Sequence, residues 1–277
     1  MSGLGADSAS AAPVAVAPRV DLRPGMDAAA HVRIAAVLAV AGALSVALLF
    51  PYLLALLPGL RTRMILPLPL VVAAQALQGG VLMFLLAWLG LWLGCPRGLD
   101  APRLRRVLTG IAVAAEKPSW ALAVLLGIGS ALAVIAIDLL LHFSGLLAHR
   151  GAAAGSTNWW QGLLASFYGA IGEEVQCRLF LVSFFVWAAA RLLRQSQPSG
   201  SVYWLAIVLA ALLFGAGHLP TLARTGAFSA LGVARVVVLN SLCGIAFGWL
   251  FWRRGLEHEM LAHFCADLVL HVAAPLA

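Results

Sequence analysis

Three charged residues interrupt a long apolar stretch of the sequence, and their types and spacing could support chemistry. Glu173, Glu174 and Arg178 stand in IGEEVQCRLFL, within the run 159–190, although only 10% of the chain is charged. Residues four apart share a face of an α-helix, so Glu174 and Arg178 are expected to form an ion pair. Glu173 points about 140° away from Arg178, since each residue adds 100°. We therefore expect one structural pair and one carboxylate without a neighbouring cation.

A buried carboxylate without a counter-charge is suited to acid–base chemistry. Burial disfavours its charged form, and a carboxyl group tuned in this way can take a proton from water near neutral pH. Glu173 is therefore the candidate general base. The alternative is that both acids are structural, with Arg235 as a second arginine partner.

Two histidines and another acid follow on later apolar segments. His218 ends the segment LLFGAGH, one turn after Phe214, where packing alone would also explain a histidine. In MLAHFCADLVLH, His263 and Asp267 are four residues apart and project from one face of the last helix. With Glu173, these side chains come from three helices. Helical bundles build both metal sites and acid–base sites by such convergence.

The stretch HEMLAH only superficially matches a zinc protease motif. It has one residue more than HExxH, so His258 and His263 are five apart. Histidines at that spacing lie on different faces of a helix, whereas the motif needs both on one face. The zinc protease interpretation is therefore excluded on geometry.

Asp138 and His142 form a further pair of polar residues four apart in an apolar segment. Asp138 could pair with Arg235, which makes a structural role the first interpretation. A proton path or a polar wall of a substrate cavity stays open, because ionisable residues within a membrane are functional candidates by default.

Membrane-spanning helices are the elements that must position these residues. The chain is 62% hydrophobic, and a helix needs about 20 apolar residues to cross a bilayer. The apolar runs are 34–57, 69–94, 119–148, 159–190, 229–252 and 258–275, with a shorter one at 202–219. The predicted fold is an all-α, polytopic transmembrane helical bundle of about seven spans, with a range of six to eight. Residues 1–33, rich in Ala, Pro and Ser, are predicted to be a disordered tail before a membrane domain at 34–277.

The distribution of basic residues predicts the orientation. With the amino terminus inside, the inner connections carry most of the Lys and Arg, as in the cytoplasmic loops of membrane proteins. Seven spans would then leave the carboxyl terminus outside. The connection with Arg103, Arg105 and Arg106 forms either a short helix on the inner membrane surface or a solvated basic loop. The net charge of +7 is explained by the basic residues spread along the loops. The sequence shows no cluster of basic and aromatic residues of the kind that binds nucleic acid, so nucleic-acid binding is not expected.

The order of three motifs resembles one family of membrane proteins. The motifs are EExxxR (Glu173, Glu174, Arg178), FxxxH (Phe214, His218) and HxxxD (His263, Asp267). This pattern looks like the CPBP family, the CAAX prenyl protease and bacteriocin-processing group that is also called ABI. The resemblance covers about residues 159–275, and the earlier segments match only in being apolar or variable.

The resemblance implies an intramembrane endopeptidase that hydrolyses membrane-associated or lipidated proteins or peptides. By this resemblance Glu173 is the general base and His218 orients the water, while His263 and Asp267 hold the oxyanion or the substrate. Asp267 stands where the eukaryotic prenyl proteases have Asn. An ionised Asp267 cannot donate to an oxyanion, so it must be protonated, orient His263 or bind a metal. The supporting residues are Glu174, Arg178 and Phe214.

No cofactor is favoured by the resemblance, since a glutamate mechanism without metal is the preferred reading of the family. Zinc would nevertheless suit Glu173, His218 and His263 as ligands. The depth of the site poses a difficulty for either version. Suppose that the segments carrying His218 and His263 both ran outward as full spans. His218 would then lie near the outer end of its segment and His263 near the inner end of its own, too far apart for one site.

Two other classes of function stay open at this point. A non-catalytic immunity or scaffold protein of the same family would not need the complete set of Glu173, His218 and His263. A proton-coupled transporter would use the same buried acids, although no inverted repeat of the usual kind is present. The expected location is the inner membrane of a bacterial cell, with the lipid bilayer and a membrane-associated substrate as partners.

Overall fold

A computed structural model describes residues 28–110, 119–144, 156–224 and 228–273, and over these ranges the regular structure is entirely helical. In chain order the α-helices are α1 (Ala28–Leu56), α2 (Gly59–Thr62), α3 (Leu68–Gly94), α4 (Pro102–Thr109), α5 (Trp120–Phe143), α6 (Trp159–Tyr168), α7 (Ser183–Leu192), α8 (Gly200–Gly217), α9 (Leu219–Arg224), α10 (Ala230–Arg254) and α11 (Leu256–Asp267). A 3-10 turn at Cys95–Arg97 follows α3. π-Helical segments lie at Gly169–Glu173, Val175–Val182 and Leu268–Ala273.

The predicted transmembrane bundle is confirmed, with six candidate spans in the described ranges. They are Ala28–Leu56, Leu68–Arg97, Trp120–Phe143, Trp159–Leu192, Gly200–Arg224 and Ala230–Arg254. This number lies within the predicted range of six to eight. The segment predicted as the last span, 258–275, is not among the six. It forms the short helix α11 and the π-helical turns after it.

The first helix begins earlier than the sequence suggested. α1 starts at Ala28, about one and a half turns before the apolar run predicted from residue 34. The helical residue His31 is already buried there. Residues 1–27 lie outside the described residues, and the predicted tail is not tested for them.

Two apolar clusters hold the helices together. One joins α1, α3, the second π-helical segment and α8 through residues such as Ile34, Met83, Leu179 and Ile207. The other joins α5, α10 and α11. In this second cluster Gly127 of α5 lies directly against the backbone of Ala262. Small residues allow such close approach of helices in membranes, and here the approach fixes the residue next to His263.

The start of α11 is attached to α4, the short helix considered in the basic connection. The Glu257 carboxylate accepts hydrogen bonds from the backbone N–H of Arg103 at 2.8 Å and of Leu104 at 2.7 Å. These are donors that a helix leaves unsatisfied at its first turn. Gly255, at φ 89°, makes the sharp turn from α10 into α11. α4 is therefore a helix, and its position on the membrane surface stays a prediction.

Asp138 and Arg235 form the structural pair that was ranked first from the sequence. Arg235 Nε lies 2.5 Å from Asp138 Oδ1, which joins α5 to α10, and both side chains are roughly one-third exposed. Arg235 is thus engaged away from the EE motif. The alternative in which Arg235 neutralises a second acid of that motif is not supported.

Because this ion pair joins two helices, we expect each single neutralisation to leave an uncompensated charge. Asp138→Asn or Arg235→Gln should each lower the free energy of unfolding by about 1–3 kcal/mol, whereas the double variant should recover part of the loss. Thermal unfolding of the purified protein in detergent measures all four forms. Strictly additive losses would show that the pair contributes no coupling.

Candidate active site

The helix from Trp159 to Leu192 is not a regular α-helix in its centre. Its middle is π-helical at Gly169–Glu173 and Val175–Val182, and π-turns inside α-helices are frequent at functional sites. Glu174 lies between the two segments. The widened turns bring Glu173 and Glu174 to the same part of the bundle as α11.

Gly169 shows why this part of the helix can approach α11 so closely. A side-chain carbon added at Gly169 would overlap Asp267 Oδ2 and lie 3.0 Å from His263 Nε2. Any larger residue would therefore displace the two polar side chains of the last helix. The small residue is a requirement of the site and not only of helix packing.

Glu174 is fully buried and bound on two sides. Its Oε1 lies 2.9 Å from Arg178 Nη1, so the predicted ion pair is confirmed. The same oxygen contacts His263 Nδ1. A carboxylate accepts hydrogen bonds and Nδ1–H donates one, which fixes the orientation of the imidazole ring. Glu174 therefore connects the EExxxR helix directly to α11, a contact that the helical wheel did not predict.

Arg178 is enclosed by aromatic rings and backbone. Its guanidinium carbon lies 4.8 Å from the centre of the Phe214 ring and 5.5 Å from that of Phe247. Its Nη2 donates to the carbonyl oxygen of Gly244 at 3.3 Å. Cation–π contacts of this kind are strongest when the cation is desolvated. The buried arginine is therefore stabilised by α8 and α10 as well as by Glu174.

Glu173 faces a cavity instead of the arginine. Its side chain is 24% exposed, whereas that of Glu174 is 0% exposed, and its Oε2 lies 3.8 Å from His263 Nε2. Glu173 also interacts electrostatically with His218. The two neighbouring carboxylates thus have different surroundings, one enclosed by fixed partners and one open to the cavity.

His218 stands at the end of α8 with a defined tautomer. Its Nδ1 lies 2.9 Å from the carbonyl oxygen of Phe214. A carbonyl oxygen only accepts, so Nδ1 carries the proton and Nε2 of the neutral ring is free to accept. The Phe214 ring lies edge-on to His218, with 4.9 Å between the ring centres.

His263 and Asp267 project together from α11, as their spacing predicted. His263 Nε2 lies 3.5 Å from Asp267 Oδ1, and the same carboxylate oxygen lies 3.7 Å from Nε2 of His271. The His263 ring stacks on Phe247, with 4.9 Å between the ring centres. Of the three roles considered for Asp267, this geometry suits orientation of His263 best.

One cavity of about 680 Å³ brings Glu173, His218, His263 and Asp267 together. Its polar lining also includes Tyr52, Tyr168, Gln176, Asn240 and His271. Its apolar lining includes Leu49, Leu53, Leu56, Leu181, Leu213, Phe214, Phe247 and Leu270. The cavity is thus lined both by a group of polar side chains and by a set of largely aliphatic ones.

The sequence placed His218 and His263 at opposite depths of the membrane because it treated the segments that carry them as full spans. Phe214 contacts both rings, since 5.9 Å separates its centre from that of His263 and His218 is its edge-on neighbour. α11 is a short helix that starts directly after Gly255. His263 therefore stands about two turns into it, at the level of the cavity and not at one end of a span.

Several residues of the site were not found from the sequence. Glu259 is fully buried and interacts with Glu174, but the mismatch of HEMLAH to HExxH removed it from consideration. His258, rejected as a metal ligand, stacks on Trp120 at 4.1 Å between ring centres. The prediction that it lies on a different face from His263 is therefore confirmed. Gln176 and His271 line the cavity, and His271 carried a signal because it stands four residues after Asp267.

The polar side chains of the cavity can be compared with the zinc ligands predicted from the sequence. Within the described ranges, no three His, Cys, Asp or Glu side chains are placed to hold a metal ion. His263 has Nδ1 occupied by Glu174 and Nε2 facing two carboxylates, which leaves it poorly placed as a ligand. The zinc set Glu173, His218 and His263 therefore stays a prediction for experiment.

The comparison with known families agrees with the motifs. Residues 155–269 match the family described as type II CAAX prenyl endopeptidase, Rce1-like. The predicted CPBP and CAAX protease family is thereby confirmed, and the match supports a membrane endopeptidase in general. No curated protein and no solved structure matches the chain.

The contact at Gly169 leads to a prediction about packing. Gly169→Ala should lower the free energy of unfolding by about 1–3 kcal/mol, because the added carbon overlaps Asp267 and overpacking carries a cost of this size. Gly129→Ala is the matched control, since nothing lies within 4 Å of the added carbon. It should be neutral, or stabilising by up to about 1 kcal/mol. Equal melting temperatures for the two variants would contradict the close approach.

Proposed function

Since residues 155–269 of this chain match the Rce1-like CAAX prenyl endopeptidase family, we propose that the protein is an intramembrane endopeptidase with Glu173 as its general base. The observation that carries the proposal is the difference between two adjacent acids. Glu174 is enclosed by Arg178 and His263, whereas Glu173 is open to the cavity beside two histidines. Only Glu173 is free to exchange a proton with a water in that cavity.

The first step is activation of the water. A water between Glu173 and His218 donates one hydrogen bond to the glutamate carboxylate and one to Nε2 of the histidine, because Nδ1 of His218 is committed to the Phe214 carbonyl. Glu173 takes the proton as the water oxygen attacks the carbon of the scissile carbonyl. Holding the reactants in this geometry lowers the entropic part of the barrier.

The second step places negative charge on the former carbonyl oxygen. His263 donates from Nδ1 to Glu174, and the carboxylates of Glu173 and Asp267 near Nε2 favour a proton on that nitrogen too. An imidazolium held in this way donates from Nε2 to the oxyanion. Asp267 orients the ring, which removes the need for an amide at this position.

The last step breaks the peptide bond. The tetrahedral intermediate returns its electron pair to carbon, the C–N bond breaks, and Glu173 transfers its proton to the leaving nitrogen. One molecule of water is consumed, the new carboxyl and amino termini are formed, and Glu173 is again a carboxylate. The same group thus acts as base and then as acid.

The substrate proposed is a membrane-associated or lipidated protein or peptide. The aliphatic lining of the cavity suits an apolar segment or side chain, and its polar side chains suit a peptide bond. The chain is an integral membrane protein by its six spans. We propose that the protein lies in a bacterial inner membrane with its amino terminus in the cytoplasm. At that location, peptide maturation or surface-protein processing is the role that we favour.

Substitution of the base tests the proposal most simply. Glu173→Gln keeps the shape of the side chain and removes the base, so cleavage should fall at least about 100-fold with normal amounts of folded protein. His218→Ala should also lose activity without loss of fold, because Nδ1 of His218 bonds to a carbonyl oxygen of its own helix. The measurement is mass spectrometry of new amino termini, with a library of membrane-associated peptides in proteoliposomes.

Glu174→Gln is the matched control at the neighbouring position. It should reduce the amount of folded protein, because a buried Arg178 loses its charged partner, and such losses are about 3–5 kcal/mol. Full cleavage by Glu173→Gln would rule out the mechanism. If the wild type produced no new amino termini, the non-catalytic scaffold would be the better description.

A chelator distinguishes the metal-free mechanism from a zinc-dependent one. We expect a strong chelator to leave cleavage by the purified enzyme unchanged, because His263 is engaged by carboxylates on both ring nitrogens. The rate with and without chelator is compared on the same peptide library. Loss of activity that added zinc restores would establish a metal-dependent site with Glu173, His218 and His263 as the first ligands to test.

A further inference from the structure

Glu259 is a buried acid that the catalytic scheme does not use. It lies in the first turn of α11, one turn before His263, with 0% of the residue exposed. Neither of its carboxyl oxygens has a hydrogen-bond donor among the described residues. Oε2 of Glu174 also lacks a donor there. Buried polar atoms are nearly always paired, so three unpaired oxygens in one place need an explanation.

The two carboxyl groups interact with each other. Glu259 stands one turn before His263 on the same face of α11, and the Glu174 carboxylate that contacts His263 therefore lies next to that of Glu259. Two ionised carboxylates have only acceptors, so a bond between them requires a proton on one of the two. That proton also accounts for two of the three unpaired oxygens, because one oxygen carries it as the donor and another accepts the bond.

The charges around the pair indicate which group carries the proton. Glu174 Oε1 already has Arg178 at 2.9 Å and contacts His263 Nδ1, so its negative charge is matched. Glu259 has no ion pair with a cation among the described residues and is enclosed completely. An isolated ionised carboxylate at such a place is strongly disfavoured, whereas a carboxylic acid is tolerated.

We propose that Glu259 is a positioning residue of this site, held as a neutral carboxylic acid that donates a hydrogen bond to Oε2 of Glu174. Each oxygen of Glu174 then has a defined role. Oε2 accepts from Glu259, whereas Oε1 forms the ion pair with Arg178 and accepts from His263. The His263 ring is thereby fixed with Nε2 toward Glu173 and Asp267.

The proposal rests on the proposed function where it concerns catalysis, but the protonated state of Glu259 does not depend on it. Without the donor, Glu174 would be free to rotate toward Arg178 and away from His263. The His263 ring would lose its fixed orientation, although the cavity and its other walls would remain. Loss of such an indirect partner commonly reduces activity by about 10- to 100-fold.

Two substitutions separate a donor from a group that merely fills space. Glu259→Gln retains a donor of nearly the same shape, so the turnover number should stay within about threefold of the wild type. Glu259→Leu fills the space without a donor, so the turnover number should fall about 10- to 100-fold while KM stays nearly constant. The probe is the peptide that the wild type cuts best from the membrane-associated library.

Glu257→Gln is the matched control on the same helix. Its carboxylate accepts from the backbone of α4 at the end of the bundle, away from the cavity. Its turnover number should remain close to that of the wild type. Equal losses for Glu259→Gln and Glu259→Leu would overturn the proposal, because the amide would then fail to replace the acid.

Infrared difference spectroscopy tests the protonation state without any substrate. The wild type at neutral pH should show the carbonyl stretch of a carboxylic acid that is absent from Glu259→Gln and present in Glu257→Gln. Absence of such a band would overturn the proposal even if the variants differ in activity. If no form of the protein cleaves peptides, the proposed function fails, while the band still decides the state of Glu259. The same measurement keeps the proposal testable if Glu259→Leu does not fold.

Discussion

A charged carboxylate enclosed within a membrane bundle must be matched by fixed partners, and Glu174 is where this constraint acts on the present protein. Insertion of a single charge at the centre of a transmembrane helix costs about 2.5–3.5 kcal/mol even on the mildest scale. Glu174 avoids this cost through Arg178 and through contact with His263. Since Arg178 lies on the same helix and His263 on α11, neutralisation of one charge also joins two elements of the site.

The position of α11 follows from contacts on three sides. At its start, Glu257 binds the first turn of α4, and Gly255 allows the turn from α10. Along its length, Gly127 lets α5 approach its backbone, and Gly169 lets the π-helical turns approach its polar side chains. The helix therefore does not need to cross the membrane to be held firmly. A short, anchored helix can present His263 and Asp267 at the depth of the cavity.

The fold class and the principal polar residues could be predicted from the sequence because both depend on local patterns. Apolar runs of sufficient length define spans, and spacing by four residues defined the pair Glu174 and Arg178. The same patterns could not show the contact between Glu174 and His263, which lies across 89 residues of chain. They also could not show the π-helical turns, since the helical wheel assumes regular α-helix, although its conclusion for Glu173 and Glu174 matches their observed surroundings.

Glu259 was missed for a different reason. The stretch HEMLAH does not have the spacing of the zinc motif, so the sequence assigned no role to the acid within it. Only the tertiary structure brings Glu259 close to Glu174. The depth of His263 was also out of reach, because composition does not distinguish an anchored short helix from a full span when both are apolar. Sequence patterns identify which residues can do chemistry, whereas the packing of α11 decides which of them meet.

We propose that the two adjacent glutamates have different roles, with Glu173 taking part in the reaction and Glu174 holding the structure of the site. Single-turnover cleavage with enzyme in excess over a bound peptide measures the chemical step directly. For Glu173→Gln we expect an unchanged amount of bound peptide and a cleavage rate constant at least about 100-fold below that of the wild type. A rate constant equal to that of the wild type, at equal amounts of folded enzyme, would contradict it.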